Sequence, residues 1–174
     1  MNKKPRIYLK ENFVLEPDKL LQEIKMKVVW DERMKSRKTA SFVVSYNYSG
    51  IIYPQTEMLE FLLPLCESIE KELNFFPNNF LLNFYADGNS SMRFHPDSRY
   101  ETAENTGVAI IPIGDERVFN FKNKANKNLQ FEYLLKSGAL LYMRNNVQQK
   151  WLHAIPKQES VGERISLTFR NVKK

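Results

Sequence analysis

Hydrophobic and polar positions follow a helical rhythm in the first half of the chain and an alternating one in the second. Leu20, Leu21 and Ile24 recur at helical spacing behind Pro17 and Asp18, which predicts a helix over 17–24. The run 41–48 is rich in β-branched and aromatic residues and predicts a strand. Leu59, Leu62, Leu63, Cys66, Ile69 and Leu73 keep the 3.6-residue period, which predicts one helix over 56–73 with Thr56 as N-cap and a kink at Pro64. Cys66 on that apolar stripe reads as a buried core thiol. From Phe80 onward the pattern becomes short extended runs, at 80–86, 107–113, 117–122, 129–135, 139–144 and 164–170. Turn signals separate several of them, among them Asp87-Gly88-Asn89, Ser137-Gly138 and Asn145-Asn146. Many short strands after a helical first half predict a mainly β, α+β fold: an antiparallel jelly roll with N-terminal helices packed on one sheet.

The chain has 174 residues, within the range of one domain. One domain over 1–174 is expected, with 1–50 as a lead-in and 80–172 as the core. A single cysteine excludes an intramolecular disulfide and a cysteine-rich zinc site. No apolar run reaches the roughly 18 residues of a membrane span. No apolar stretch follows the basic N-terminus, so a reduced, cytoplasmic setting without membrane contact is expected. The net charge of +6 and a pI near 9.3 suit a polyanionic partner. The basic residues are spread out, with clusters at 3–6, 33–38 and 122–127 that a solvated surface would explain equally well.

The chain has two histidines, His95 and His153. His95-Pro96-Asp97 puts an imidazole and a carboxylate two residues apart, and a second imidazole would complete a facial triad with three open metal positions. Alone, the pair also fits a surface histidine beside a turn carboxylate. The last strand adds to the pattern. In Arg164-Ile165-Ser166-Leu167-Thr168-Phe169-Arg170, two guanidiniums and two hydroxyls share one face and three apolar side chains the other. If the polar face points inward, the guanidiniums need an anion, and a dicarboxylate would satisfy both. Asn83 and Tyr85 share a face in Leu81-Leu82-Asn83-Phe84-Tyr85, where an amide and a phenol suit a small carboxylate ligand.

In order, Asn83-x-Tyr85, Asp87-Gly88, Ser91-Met92-x-Phe94-His95-x-Asp97, Val108-Ala109-Ile110-Ile111 with Gly114, Ser137-Gly138-Ala139-Leu140-Leu141, Trp151-Leu152-His153-Ala154-Ile155-Pro156 and the last strand resemble the AlkB family of iron(II)- and 2-oxoglutarate-dependent dioxygenases. The resemblance runs over about 37–172. It implies a double-stranded β-helix with His95, Asp97 and His153 as Fe(II) ligands. Arg164, Asn83 and Tyr85 would hold the distal carboxylate of 2-oxoglutarate, with Arg170 near the metal end. It also implies use of O2 and oxidative demethylation of N-alkylated bases in DNA or RNA, with formaldehyde, succinate and carbon dioxide released. Phe42, Tyr46 and Tyr48 are candidates to stack on a flipped base, and Arg99 is a candidate substrate contact. A monomer is expected. After Asp97 come Ser98 and Arg99, where family members that repair bases often carry acids, so the same chemistry on a small molecule or protein side chain is the alternative. A silent binding module with the same fold is a third reading, opposed by the intact set of candidate ligands.

Overall fold

The computed structural model describes residues 4–48, 50–97 and 102–173, at 46–48 by backbone alone. The strands are β1 (Ile7–Lys10), β2 (Lys38–Val43), β3 (Tyr46–Tyr48), β4 (Ile51–Tyr53), β5 (Asn79–Tyr85), β6 (Met92–His95), β7 (Gly107–Gly114), β8 (Arg117–Asn123), β9 (Gln130–Leu135), β10 (Leu140–Arg144), β11 (Trp151–Ile155) and β12 (Arg164–Arg170). The helices are α1 (Pro17–Lys27), α2 (Leu63–Leu73) and α3 (Asn145–Lys150), with a 3-10 turn at Glu60–Leu62 before α2.

A major sheet runs β1-β10-β7-β12-β5-β2 and a minor sheet β6-β11-β8-β9, with β3 and β4 forming a small hairpin. The named strand pairs are all antiparallel. This is the expected double-stranded β-helix, or jelly roll, with helices supporting one face.

Two cores sandwich the major sheet. Ile165, Leu167 and Phe169 of β12 and Phe80 and Leu82 of β5 pack outward against Leu21 and Ile24 of α1 and Cys66 and Ile69 of α2. Burial of an aliphatic or aromatic side chain of this kind contributes about 1.5–3 kcal/mol. On the other face, Tyr85, Val108, Ile110, Leu141 and Met143 meet Phe119, Phe121, Trp151 and Ile155 of the minor sheet. Strand alternation therefore sends one set of β5 and β12 side chains to the helices and the other into the space between sheets.

Two local expectations are corrected. α2 begins at Leu63, so Pro64 lies in its first turn and kinks nothing. Proline is tolerated there because the first-turn amides have no partner within the helix. Thr56 caps no helix; its hydroxyl accepts from the Val43 amide at 3.2 Å and donates to the Ser41 carbonyl at 3.2 Å. The run 41–48 is broken at Val43, which has φ of 72°. Thr56 holds this left-handed turn from both sides, its own amide donating to the Val43 carbonyl at 3.0 Å.

Candidate active site

β6 ends at His95, Pro96 follows, and the chain turns so that Asp97 sits two residues beyond the strand. β11 lies between β6 and β8, and its register puts His153 opposite His95 on one side and Phe121 on the other. The two imidazoles lie 4.4 Å apart between ring centroids, and Phe119 stacks on His153 at 5.3 Å with 11° between planes. His153 Nε2 is 3.5 Å from Asp97 Oδ2. One ligand atom from each of His95, Asp97 and His153 lies within 4.8 Å of the others.

Electrostatics prepares all three for a cation. Burial pushes His153 down to about 3, with the neighbouring His95 adding to the effect, while Asp97 pulls the other way. Burial lowers His95 as well. His95 Nδ1–H donates to the Arg93 carbonyl at 2.8 Å, since a carbonyl can only accept, and this leaves Nε2 with the lone pair. Burial alone would raise Asp97. Arg170 and the two imidazoles outweigh it and hold the carboxyl well below the usual carboxylate range. Arg170 Nη2 donates to Asp97 Oδ1 at 2.5 Å. Gln148 accepts from the Asp97 amide and donates to Oδ2, both at 3.2 Å.

The ladder between β12 and β5 sets Arg164 opposite Tyr85 and Ser166 opposite Asn83. Leu81, Asn83, Tyr85, Ser166, Thr168 and Arg170 line one wall of a pocket whose other wall carries His95, Asp97 and His153. Arg164 is fully buried. Its Nε donates to Ser166 Oγ at 3.3 Å, and its Nη2 has no hydrogen-bond partner among the described residues. Burial brings its pKa down to about 10, which still leaves it a cation at neutral pH. Arg37 Nε donates to Asn83 Oδ1 at 2.8 Å, so the Asn83 amide keeps its donor end for a ligand. Neutral imidazoles and an ionised carboxylate match the donor set of a divalent transition metal. A buried guanidinium with a spare donor, opposite the pocket-lining Tyr85, suits an anion.

The pocket opens beside a cleft of about 540 Å³ lined by Lys35, Arg93, Lys157, Met92 and His95 among others, with no acid among the described residues that line it. Among the other candidates, Phe42 packs against the core between the major sheet and the helices and does not line pocket or cleft. The side chains of Tyr46 and Tyr48, and all of Arg99, lie outside the described residues. Sequence reasoning missed Gln148, which fixes Asp97, and the buried Arg117. Gln148 stood in a polar run ahead of His153. Nothing local marks a buried arginine, because its partners are distant in sequence.

The model of the 2OG-Fe(II) oxygenase superfamily matches residues 18–170, and the chain belongs to that superfamily, whose cofactors are Fe(II), 2-oxoglutarate and O2. The chain is also similar to curated ALKBH2 proteins. It is 28% identical to the DNA oxidative demethylase ALKBH2 of Arabidopsis thaliana, over 75% of this chain and 52% of the relative. The human ALKBH2 is 25% identical over 74% of this chain and 52% of its own. The chain thus spans about half the length of these curated relatives. The solved structure of OsALKBH1 superposes with a TM-score of 0.69 over 98% of this chain and 100% of its own, at 14% identity, a likeness of fold.

Proposed function

We propose that this chain oxidatively demethylates N-alkylated bases in DNA or RNA. The observation that carries the reading is the His95, Asp97 and His153 cluster, set between two sheets at the edge of a cleft lined by Lys35, Arg93 and Lys157. The curated relatives named as DNA oxidative demethylases support the substrate class. In this reading His95, Asp97 and His153 hold Fe(II), and Arg164, Asn83 and Tyr85 hold the distal carboxylate of 2-oxoglutarate. Bound iron, 2-oxoglutarate and O2 supply the oxidation of a methyl group to the hydroxymethyl level, from which formaldehyde leaves.

The chain's own groups orient and exclude. Arg170 and Gln148 hold the Asp97 carboxylate in one orientation. Phe119 and Ile155 keep the pocket apolar around the imidazoles. Lys35, Arg93 and Lys157 offer cations for phosphates at the cleft, where contacts give affinity without sequence preference.

Oligonucleotides carrying 1-methyladenine or 3-methylcytosine, given iron, ascorbate and 2-oxoglutarate, should release formaldehyde. Turnover at limiting substrate should fall as salt rises, because phosphate contacts release counterions. Binding of these oligonucleotides with no formaldehyde would contradict the substrate class. Succinate release on other methylated compounds would then favour a small-molecule or protein substrate.

A further inference from the structure

Arg117 opens β8 and is fully buried. Its Nη1 donates to the Asp87 carbonyl at 3.2 Å, and its Nη2 to the carbonyls of Ser90 at 3.0 Å and Pro156 at 2.7 Å. These carbonyls lie just past the end of β5, just ahead of β6 and just past β11. One guanidinium thus ties the ends of the strands that carry Asn83 and Tyr85, His95, and His153. Its carbon also lies 5.8 Å from the Tyr85 ring centroid, and Tyr85 is the ladder partner of Arg164.

Neither Arg117 nor Arg164 forms an ion pair among the described residues. The charges of Asp87 and Asp115 reach Arg117 without a salt bridge, and the charge of Arg117 reaches Arg164 and helps lower it. Two buried cations near one tyrosine are costly unless an anion comes to them. Arg117 has its own hydrogen bonds to carbonyls, so it need not touch that anion.

We propose that Arg117 is a positioning residue of the cosubstrate pocket. It fixes Tyr85 and the three strand ends, and its charge, added to that of Arg164, favours a 2-oxo acid with a distal carboxylate over one without. This rests on the cosubstrate assignment above.

The test is calorimetric titration of the Mn(II)-loaded protein with 2-oxoglutarate and with 2-oxopentanoate, which lacks the distal carboxylate. The readout is the ratio of the two Kd values. Wild type should prefer 2-oxoglutarate strongly. Arg117→Met and Arg117→Gln should cut that preference by about tenfold through loss of a buried charge, while Arg117→Lys should hold it within about threefold. A purely structural role weakens both ligands equally and leaves the ratio unchanged, which would overturn the proposal. So would failure of both neutral variants to fold, which would assign Arg117 to stability. A wild type with no preference would remove the cosubstrate assignment itself, and this proposal with it.

Discussion

Asp97 is the residue on which the most groups converge. Arg170, Gln148, His95 and His153 all act on its carboxylate or amide. Without iron, Asp97→Ala leaves the Arg170 guanidinium buried without its carboxylate. Breaking a buried pair from one side costs about 3–5 kcal/mol. Urea unfolding of the metal-free variant should show that loss, and an unchanged midpoint would mean that Asp97 does not hold Arg170. Cys66 tests the helix-side core. Burial pushes its thiol up to about 12 from 9.0, so at pH 8 it is protonated and covered. Alkylation by iodoacetamide should therefore be negligible in the native chain and rapid after denaturation, because the thiolate is the nucleophile. Between pH 9 and 12 the unfolded thiol ionises and the native one does not, so Cys66 makes stability fall as pH rises through that window. Fast native labelling at pH 8 would contradict the packing of α2.

At the scale of elements, β12 was the most legible segment. Its alternation gave the two faces correctly, and Ile165, Leu167 and Phe169 do pack against the helices. Alternation could not tell whether the polar face meets water or a second sheet, because both give the same pattern; the buried Arg164 and Arg170 answer that. The same holds for Asn83 and Tyr85 against Leu82 and Phe84. β6 was not legible as a strand, since it has four residues and ends at the Pro96 boundary. The start of α2 was misplaced because an apolar period also runs through the 3-10 turn ahead of it. The turn between β5 and β6 is a further test. Gly88 donates its close approach to the 158 loop: the Gln158 amide bonds to its carbonyl at 3.0 Å, and an added Cβ would run into the Gln158 carbonyl oxygen. Gly88→Ala should cost about 1–3 kcal/mol, as overpacking does, and a thermal midpoint equal to wild type would show that the turn gives way freely.

At the scale of the molecule, the family was legible because its motif residues follow in fixed order on strands or, for Asp97, just beyond one. Their convergence was not, because it depends on β11 lying between β6 and β8 and on two sheets facing each other. Among the described residues no helix is long and apolar enough to cross a membrane. The positive charge, diffuse in sequence, gains a place in the structure: Lys35, Arg93 and Lys157 line the cleft beside His95, whereas Lys38 is paired with Glu32 at 2.5 Å. The central claim is that His95, Asp97 and His153 bind one iron while the arginine-lined wall receives the keto-acid. Anaerobic titration with Fe(II) and 2-oxoglutarate, followed by the visible metal-to-ligand absorption, tests it most directly. The account predicts a band that saturates at one iron and one 2-oxoglutarate per chain and is lost in His153→Ala and weakened in Arg164→Ala. No band in the wild type, or an equal band in both variants, would contradict it.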